Sequence, residues 1–342
     1  MTKLTVLMPV LNSAEHLHSS IRSILKQTFQ DFQFLIIDDG SQDGGQDIVR
    51  SFRDSRIRLV QNESNLGVAA TLNKGLSLSA TDYIARMDAD DVSKTFRLAS
   101  QVELMEKESD LDICGSWVRT IDVGGRGHVI RYPTESSTIH SYLLFNNPLA
   151  HPAIMLRKSS MTHHGLSYDE RIGAGQDYEF WSRCAQFCRI KNIPKVLLLW
   201  RRHSQGVTNR DLQKSDNTAL LVQKRELLRL GLDCGEKILK QHQNIGRGSG
   251  MESNQELAEA LSWLNTLIKL NRKKKHYNEK GLLQASAMVW FRLCMNSKVS
   301  NGHVFKTYLS APFCSYYRPC AIEVAVFVYH HLATLFLKNQ RL

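Results

Sequence analysis

The chain has 342 residues, 42% hydrophobic and 23% charged, enough to bury a large core and to form two domains rather than one. Its formal charge of +11 is uneven: residues 1–210 carry 25 Lys and Arg against 23 Asp and Glu, a net +2, and residues 211–342 carry 19 against 10, a net +9. Seven dispersed cysteines with no CxxC pair indicate neither a disulfide framework nor a zinc site and suit a reducing, cytosolic setting. Met1 to Val10 lacks the basic segment, longer apolar stretch and cleavage site of a signal peptide, so the N-terminus reads as mature.

Apolar periodicity predicts a strand over LTVLMPV (4–10) and a helix over AEHLHSSIRSILKQ, whose Leu17, Ile21, Ile24 and Leu25 share a face. FQFLII (32–37) reads as a strand buried on both faces, stopping at Asp38, Asp39, Gly40 and Ser41 before a helical segment near Asp47 to Phe52. IRLVQ (57–61), a loop at 62–67, a helix at VAATLNKGLSLS and a strand at YIARM (83–87) continue the alternation. A helix is expected from Lys94 to Lys107, then strands at 112–122, 153–157 and 195–201. From about Asp211 the pattern turns helical, and GRGSG (246–250) suits a flexible linker between two helices.

Strands alternating with helices imply an α/β fold with a mostly parallel sheet, whose ligand site lies beyond the carboxyl ends of its strands. Both acidic stretches, Asp38 to Ser41 and Asp88 to Asp91, sit at such ends. Three carboxylates in four residues, Asp88, Asp90 and Asp91, call for a divalent cation, and an all-oxygen donor set suits Mg²⁺ or Mn²⁺. Such ions bridge to phosphates, so a phosphate-bearing ligand follows; a helix cap is the plain alternative for Asp91. No GxxxxGK[ST] and no GxGxxG after the first strand is present, which excludes the commonest nucleotide folds.

The segments VLMPVLN (6–12), IIDDGSQDGG (36–45), NLGVAATLNKG (65–75), MDADD (87–91) and GQDYEFW (175–181), in this order, resemble family 2 glycosyltransferases of the GT-A fold over about residues 3–208. The resemblance implies a GT-A nucleotide-sugar-binding and catalytic domain at 1–210 and a helical C-terminal domain at 211–342, membrane- or acceptor-associated. It implies an inverting, metal-dependent transfer of a sugar from a nucleoside diphosphate sugar, typically a UDP-sugar, to a glycan or lipid-linked acceptor in envelope polysaccharide synthesis. By the same resemblance Pro9, Val10 and Asn12 flank the nucleotide, Asp39 binds the base, and Asp88 faces the ribose or metal-bound water. Asp90 and His203 would be metal ligands, with Asp88 beside them, and Asp177 the general base, while Asp38 is structural. Trp181 and His151 would lie on the acceptor side, with core packing the alternative for each, and Phe180 reads as core. Arg201 or Arg202 could pair with the diphosphate. Many relatives carry Pro before the Arg-Leu pair where this chain has Thr95 and Phe96.

CAIEVAVFVYHHLATLFL (320–337) is apolar nearly all round but carries Glu323, His330 and His331. A buried helix is the first expectation, a helix in the membrane interface the second and a span the third. The basic surplus, RKKKHY (272–277) included, suits peripheral contact with an anionic membrane, on the inner face of the cell membrane for a cytoplasmic protein; a solvated face is the plain alternative. No nucleic-acid-binding motif accompanies the surplus. The rivals are a sugar nucleotidyltransferase, for which the Gly-rich phosphate loop is missing, and a non-catalytic sugar-nucleotide-binding relative, against which the intact aspartates speak.

Overall fold

A computed structural model of the chain describes residues 2–122, 124–202, 211–249, 251–299 and 303–339, with side chains as far as His331. The chain divides into two compact units, residues 1–136 with 147–218, and residues 137–146 with 219–342.

In the first unit, continuous apolar runs form β1 (Leu4–Val10), β2 (Phe32–Asp38), β3 (Ile57–Gln61) and β4 (Tyr83–Arg86). They are joined by α1 (Ala14–Leu25), α2 (Gly45–Ser51) and α3 (Val68–Leu78). Then follow β5 (Val92–Ser93), α4 (Arg97–Lys107), β6 (Ile113–Ile121), β7 (Val129–Ile130), β8 (Met155–Arg157), α6 (Lys158–His163), α7 (Gln176–Cys184) and β9 (Ile190–Arg201), while α5 (Ser136–Tyr142) has only its first residue in this unit. The nine strands make one sheet in the order β3-β2-β1-β4-β8-β6-β9-β5, with β7 on β6. The longest ladders, β1 with β2 and β6 with β9, are parallel, while β8, β5 and β7 pair antiparallel. The expected α/β architecture with a mostly parallel sheet is therefore present.

Strand alternation sorts the core. Leu4, Val6 and Met8 join Leu17, Ile21 and Ile24 of α1 in one cluster. Leu7 points to the other face, under α3, where a Cβ on Gly75 would come within 2.3 Å of its Cδ1. Only glycine lets that helix lie so close. Strand β9 starts five residues earlier than the apolar run at 195 suggests, because Pro194 and Lys195 bulge out between Ile193 and Val196, which pair with Ser116 and Trp117. Helix α4 starts at Arg97 rather than Lys94, since Val92 and Ser93 are taken up in pairing with Leu199 and Leu198.

The second unit contains α8 (Leu212–Arg229) from Ala219 onward, α9 (Glu236–Arg247), α10 (Asn254–Lys274), α11 (Glu279–Met295), α12 (His303–Ser310) and α13 (Ala321–Asn339). Residues 137–146 belong to this core, with Tyr142, Leu144 and Phe145 packed among Leu264, Trp290 and Phe291. Gly246 and Gly281 make room for that segment: a Cβ on either would meet the carbonyl oxygen of Phe145 or Ser137 at 2.1 or 2.4 Å. The GRGSG expectation is corrected here. Gly246 is buried inside α9, and Gly248, at φ +67°, ends that helix as a left-handed cap rather than opening a linker.

The expectation of a buried helix at 320–337 is corrected over residues 321–331; the side chains beyond His331 lie outside those described. Of the side chains described on α13, Phe327 and His331 are buried, and Ile322, Val324, Val326, Val328 and Tyr329 are exposed. Among the described residues no helix is long and apolar enough to cross a membrane.

Candidate functional site

The site grows from the adjacent carboxyl ends of β2, β1 and β4. Pro9 and Val10 close β1, and the amide of Asp39 donates to the Val10 carbonyl at 2.8 Å. Asn12 adopts φ +48°, donates its amide to Ser41 Oγ at 3.0 Å and accepts from the Gln42 amide at 2.9 Å through Oδ1. The turns after β1 and β2 are thus stitched to each other. Asp38 caps its own turn, accepting from the Ser41 amide at 3.2 Å and from Gln46 Nε2 at 2.7 Å.

Asp39 is buried, and its carboxylate gathers the loop after β3. Oδ1 accepts from Asn62 Nδ2 at 2.7 Å and the Leu66 amide at 2.9 Å, and Oδ2 from the Gly67 amide at 3.0 Å. An ionised carboxylate has about four acceptor positions, so room for one further donor remains. Gly40, at φ +83°, allows Ser64 and Asn65 to approach, since a Cβ would sit 3.1 Å from their backbone atoms. This explains the DDG triplet: an acceptor that holds the loop, followed by a residue without a side chain.

Beyond β4, Asp88, Asp90 and Asp91 place carboxylate oxygens within 4.8 Å of one another. Asp88 is paired with Arg86 Nη2 at 2.5 Å, and Arg86 is itself buried, its Nε and Nη1 without hydrogen-bond partners among the described residues. Asp91 is fully buried; Oδ1 accepts from the Arg201 amide at 2.8 Å and Oδ2 has no partner among the described residues. Arg201 Nε also donates to the Asp90 carbonyl at 2.8 Å, tying this turn to the end of β9. Burial pushes the Asp88 carboxyl up; Arg86 opposes the shift, and Asp90 and Asp177 add to it. Burial, then Asp88 and Asp90, push Asp91 well above the usual carboxylate range. An all-oxygen set, crowded like charges and one orphaned buried oxygen are what a hard divalent cation satisfies, so the residues fit Mg²⁺ or Mn²⁺. His203 lies outside the described residues.

Asp177 is the second residue of α7, which opens after Gly175 at φ +74°. Asn147 Nδ2 donates to Asp177 Oδ2 at 2.7 Å. Burial pushes this carboxyl up, opposed by hydrogen bonds from the Tyr178 amide and Asn147 and by the charge of Arg86. Asp177 is therefore in the electrostatic neighbourhood of both Arg86 and Asp88. The loop before α7 is anchored by Asn73, whose Nδ2 donates to the Tyr168 carbonyl and whose Oδ1 accepts from the Tyr168 amide, each at 2.9 Å.

His151 is buried, with Nε2 2.9 Å from Tyr168 Oη, and burial holds its ring well below the usual imidazole range, so it stays neutral. Trp181 is fully buried and meets His151 edge to face at 5.9 Å. Trp181 thus has no exposed face to lay on a sugar and belongs to the wall behind Asp177, as does the equally buried Phe180. Arg86 and Asn147 carry no sequence signal: one is a single charge in a short strand, the other a loop amide 30 residues from its partner.

Residues 5–165 match the sequence model described as "Glycosyl transferase family 2". An uncharacterized glycosyltransferase of Methanocaldococcus jannaschii is 34% identical over 214 residues, 60% of this chain and 71% of the relative. The UDP-Gal:alpha-D-GlcNAc-diphosphoundecaprenol beta-1,3-galactosyltransferase of Escherichia coli is 30% identical over 203 residues, 57% of this chain and 73% of that protein. Among solved structures, a fragment of S. aureus TarS in complex with UDP aligns with TM-score 0.53 at 18% identity, covering 92% of this chain and 89% of its own. The mannosyltransferase PcManGT from Pyrobaculum calidifontis, in complex with GDP-Man and Mn²⁺, aligns with TM-score 0.52 at 15% identity over 98% of this chain and 88% of its own. At these identities the two structures speak for the fold.

Proposed function

The chain belongs to glycosyltransferase family 2, and from that premise we propose an inverting, metal-dependent transfer from a nucleoside diphosphate sugar to a glycan or lipid-linked hydroxyl in envelope polysaccharide synthesis. The observation that carries this reading is the carboxylate cluster Asp88, Asp90 and Asp91 at the end of β4, with Asp177 within electrostatic reach of Asp88. In this reading Asp177 takes the proton of the acceptor hydroxyl as that oxygen attacks the anomeric carbon opposite the departing diphosphate, so configuration inverts. Asn147 holds the carboxylate in place, and burial raises its basicity.

Asp90 and Asp88 would hold Mg²⁺ or Mn²⁺, with Asp91 close by; the ion, when bound, lends positive charge to the leaving diphosphate. Asp39 keeps one acceptor position for a ring N–H of the base, and Pro9, Val10 and Asn12 shape the floor beside it. A UDP-sugar is the donor we favour, because the E. coli galactosyltransferase, 30% identical to this chain, is named for UDP-Gal. That galactosyltransferase is also named for a lipid-linked acceptor, which supports one here and, with it, work on the cytoplasmic side of a membrane.

The test is a thermal-shift screen of UDP-, GDP- and dTDP-sugars with and without Mn²⁺, since a ligand bound only by the native state raises its melting point. A metal-dependent rise for a UDP-sugar is expected. No rise with any nucleotide sugar at millimolar concentration would overturn the reading.

A further inference from the structure

The C-terminal helix α13 leaves an apolar surface uncovered. It rests on the second unit by one edge: Phe327 packs against Phe305 and Phe291 at ring separations of 4.7 and 5.6 Å, and His331 Nε2 lies 2.9 Å from the Cys294 carbonyl. At about 100° per residue, the side chains from Val324 through Tyr329 to His330 occupy roughly two-thirds of the circumference. Within that arc Ile322 is 68%, Val326 51% and Tyr329 75% exposed, and Val324, Val328, Ala321 and Ala325 are exposed beside them. Among its described residues there is no Lys, Arg, Asp or Glu. Single exposed apolar residues are ordinary, but a contiguous patch of this kind marks a surface that something covers. Leu309 and Tyr316, on the segment leading into the helix, are exposed as well.

Charge selects the occupant. From residue 298 to the end the sequence holds five Lys and Arg against a single acid, Glu323. That acid is already used: its carboxylate accepts from the Cys320 amide at 2.7 Å and from Tyr317 Oη at 3.2 Å, closing the start of the helix. Lys306 and Arg318 are exposed on the approach to it. Flanks of one sign repel each other across a twofold contact between copies, but they attract anionic headgroups. Among the described residues no helix is long and apolar enough to cross a membrane, and a helix that keeps Phe327 and His331 packed on its own unit while baring the rest of its described face lies in the plane of the interface.

We propose that the exposed face of α13, flanked by Lys306 and Arg318, docks the chain on an anionic lipid bilayer with the helix lying flat. The proposal rests on the second unit alone and stands or falls independently of the reaction assigned above.

The test is sedimentation of the full chain with phosphatidylcholine vesicles, with and without phosphatidylglycerol, at low and high salt. Binding to the anionic vesicles that weakens with salt is expected. Val326→Glu with Tyr329→Glu should lower the partition at least about tenfold by placing charge in the acyl boundary. Lys306→Glu with Arg318→Glu should lower it on anionic vesicles, and Lys273→Glu with Lys274→Glu, elsewhere on the unit, should not. Circular dichroism checks that each variant folds, and hydrogen exchange of the wild type keeps the question open to refutation without variants: vesicles should protect the amides of 316–331. Absence of binding to anionic vesicles at low salt, binding that survives Val326→Glu with Tyr329→Glu, or unprotected 316–331 amides would overturn the proposal. So would light scattering showing a dimer that those glutamates split while vesicles leave the wild type in solution.

Discussion

Replacing Asp177 by Asn isolates the base from everything around it. The side chain keeps its shape, and its amide oxygen can still accept from Asn147 Nδ2, which now lies 2.7 Å from Oδ2, so the start of α7 stays in place. What disappears is the capacity to take a proton. A positioned general base contributes about 10²–10⁴ in rate, which at about 1.36 kcal/mol per tenfold corresponds to roughly 3–5 kcal/mol of barrier. We expect kcat for release of nucleoside diphosphate to fall by that factor while donor affinity, measured by calorimetry, is unchanged. The pH profile supplies a second readout. Burial raises the Asp177 carboxyl, so the wild type should lose activity as pH falls through that raised value, and the Asn variant should lack this limb. Asn147→Ala removes a bond that favours the ionised form, so the limb should move to higher pH. A kcat within a few-fold of wild type, or a donor affinity that collapses together with kcat, would refute the assignment.

Three further outcomes follow from the geometry. Mn²⁺ should raise the melting point of the wild type, by an amount equivalent to about 2.7 kcal/mol at a hundred times its Kd, and Asp90→Ala should abolish the rise. Asp88 and Asp91 are raised, so they take up protons earlier than ordinary carboxylates as pH falls. The Mn²⁺ effect should therefore shrink as pH drops through those values, while the metal-free fold, relieved of buried like charge, should gain stability over the same range. Asp39→Asn turns one acceptor into a donor facing the amide of Leu66 or Gly67; the orphaned group should cost about 1–3 kcal/mol in urea unfolding and weaken nucleotide binding. Gly75→Ala drives a methyl into Leu7 and should cost about 1–3 kcal/mol by overpacking, with no change in kcat of the folded fraction.

The elements legible in the sequence were those whose apolar runs end abruptly. LTVLMPV, FQFLII and YIARM stop at polar or acidic residues because their last residues leave the sheet at the ligand side, so position and chemistry could be read together. The short strands at 92–93 and 129–130 exist only through pairing with distant partners and have no period of their own to display. The first five residues of β9 hid behind Pro194, which reads as a stop but here bulges outward. The three clustered carboxylates could be read as a site, whereas the charge that offsets one of them could not: Arg86 lies inside the strand, where a lone polar residue looks like an exception rather than a partner. Over 321–331 hydrophobicity does not translate into burial. Composition alone does not tell an apolar helix packed by its own chain from one that leaves most of its circumference free.

The parallel pairing of β6 with β9 has a consequence for biosynthesis. Ile113–Ile121 leaves the ribosome about 80 residues before Arg201, which at roughly 5–20 residues per second leaves its β9 side open for about 4–16 s. During that interval a nascent chain displays an unpaired hydrophobic edge to its neighbours on the polysome. A fragment ending before residue 190 would carry all the aspartates discussed above and still be expected to precipitate, so soluble expression should depend on chaperone supply and on translation speed across this gap more than on the melting point of the finished protein.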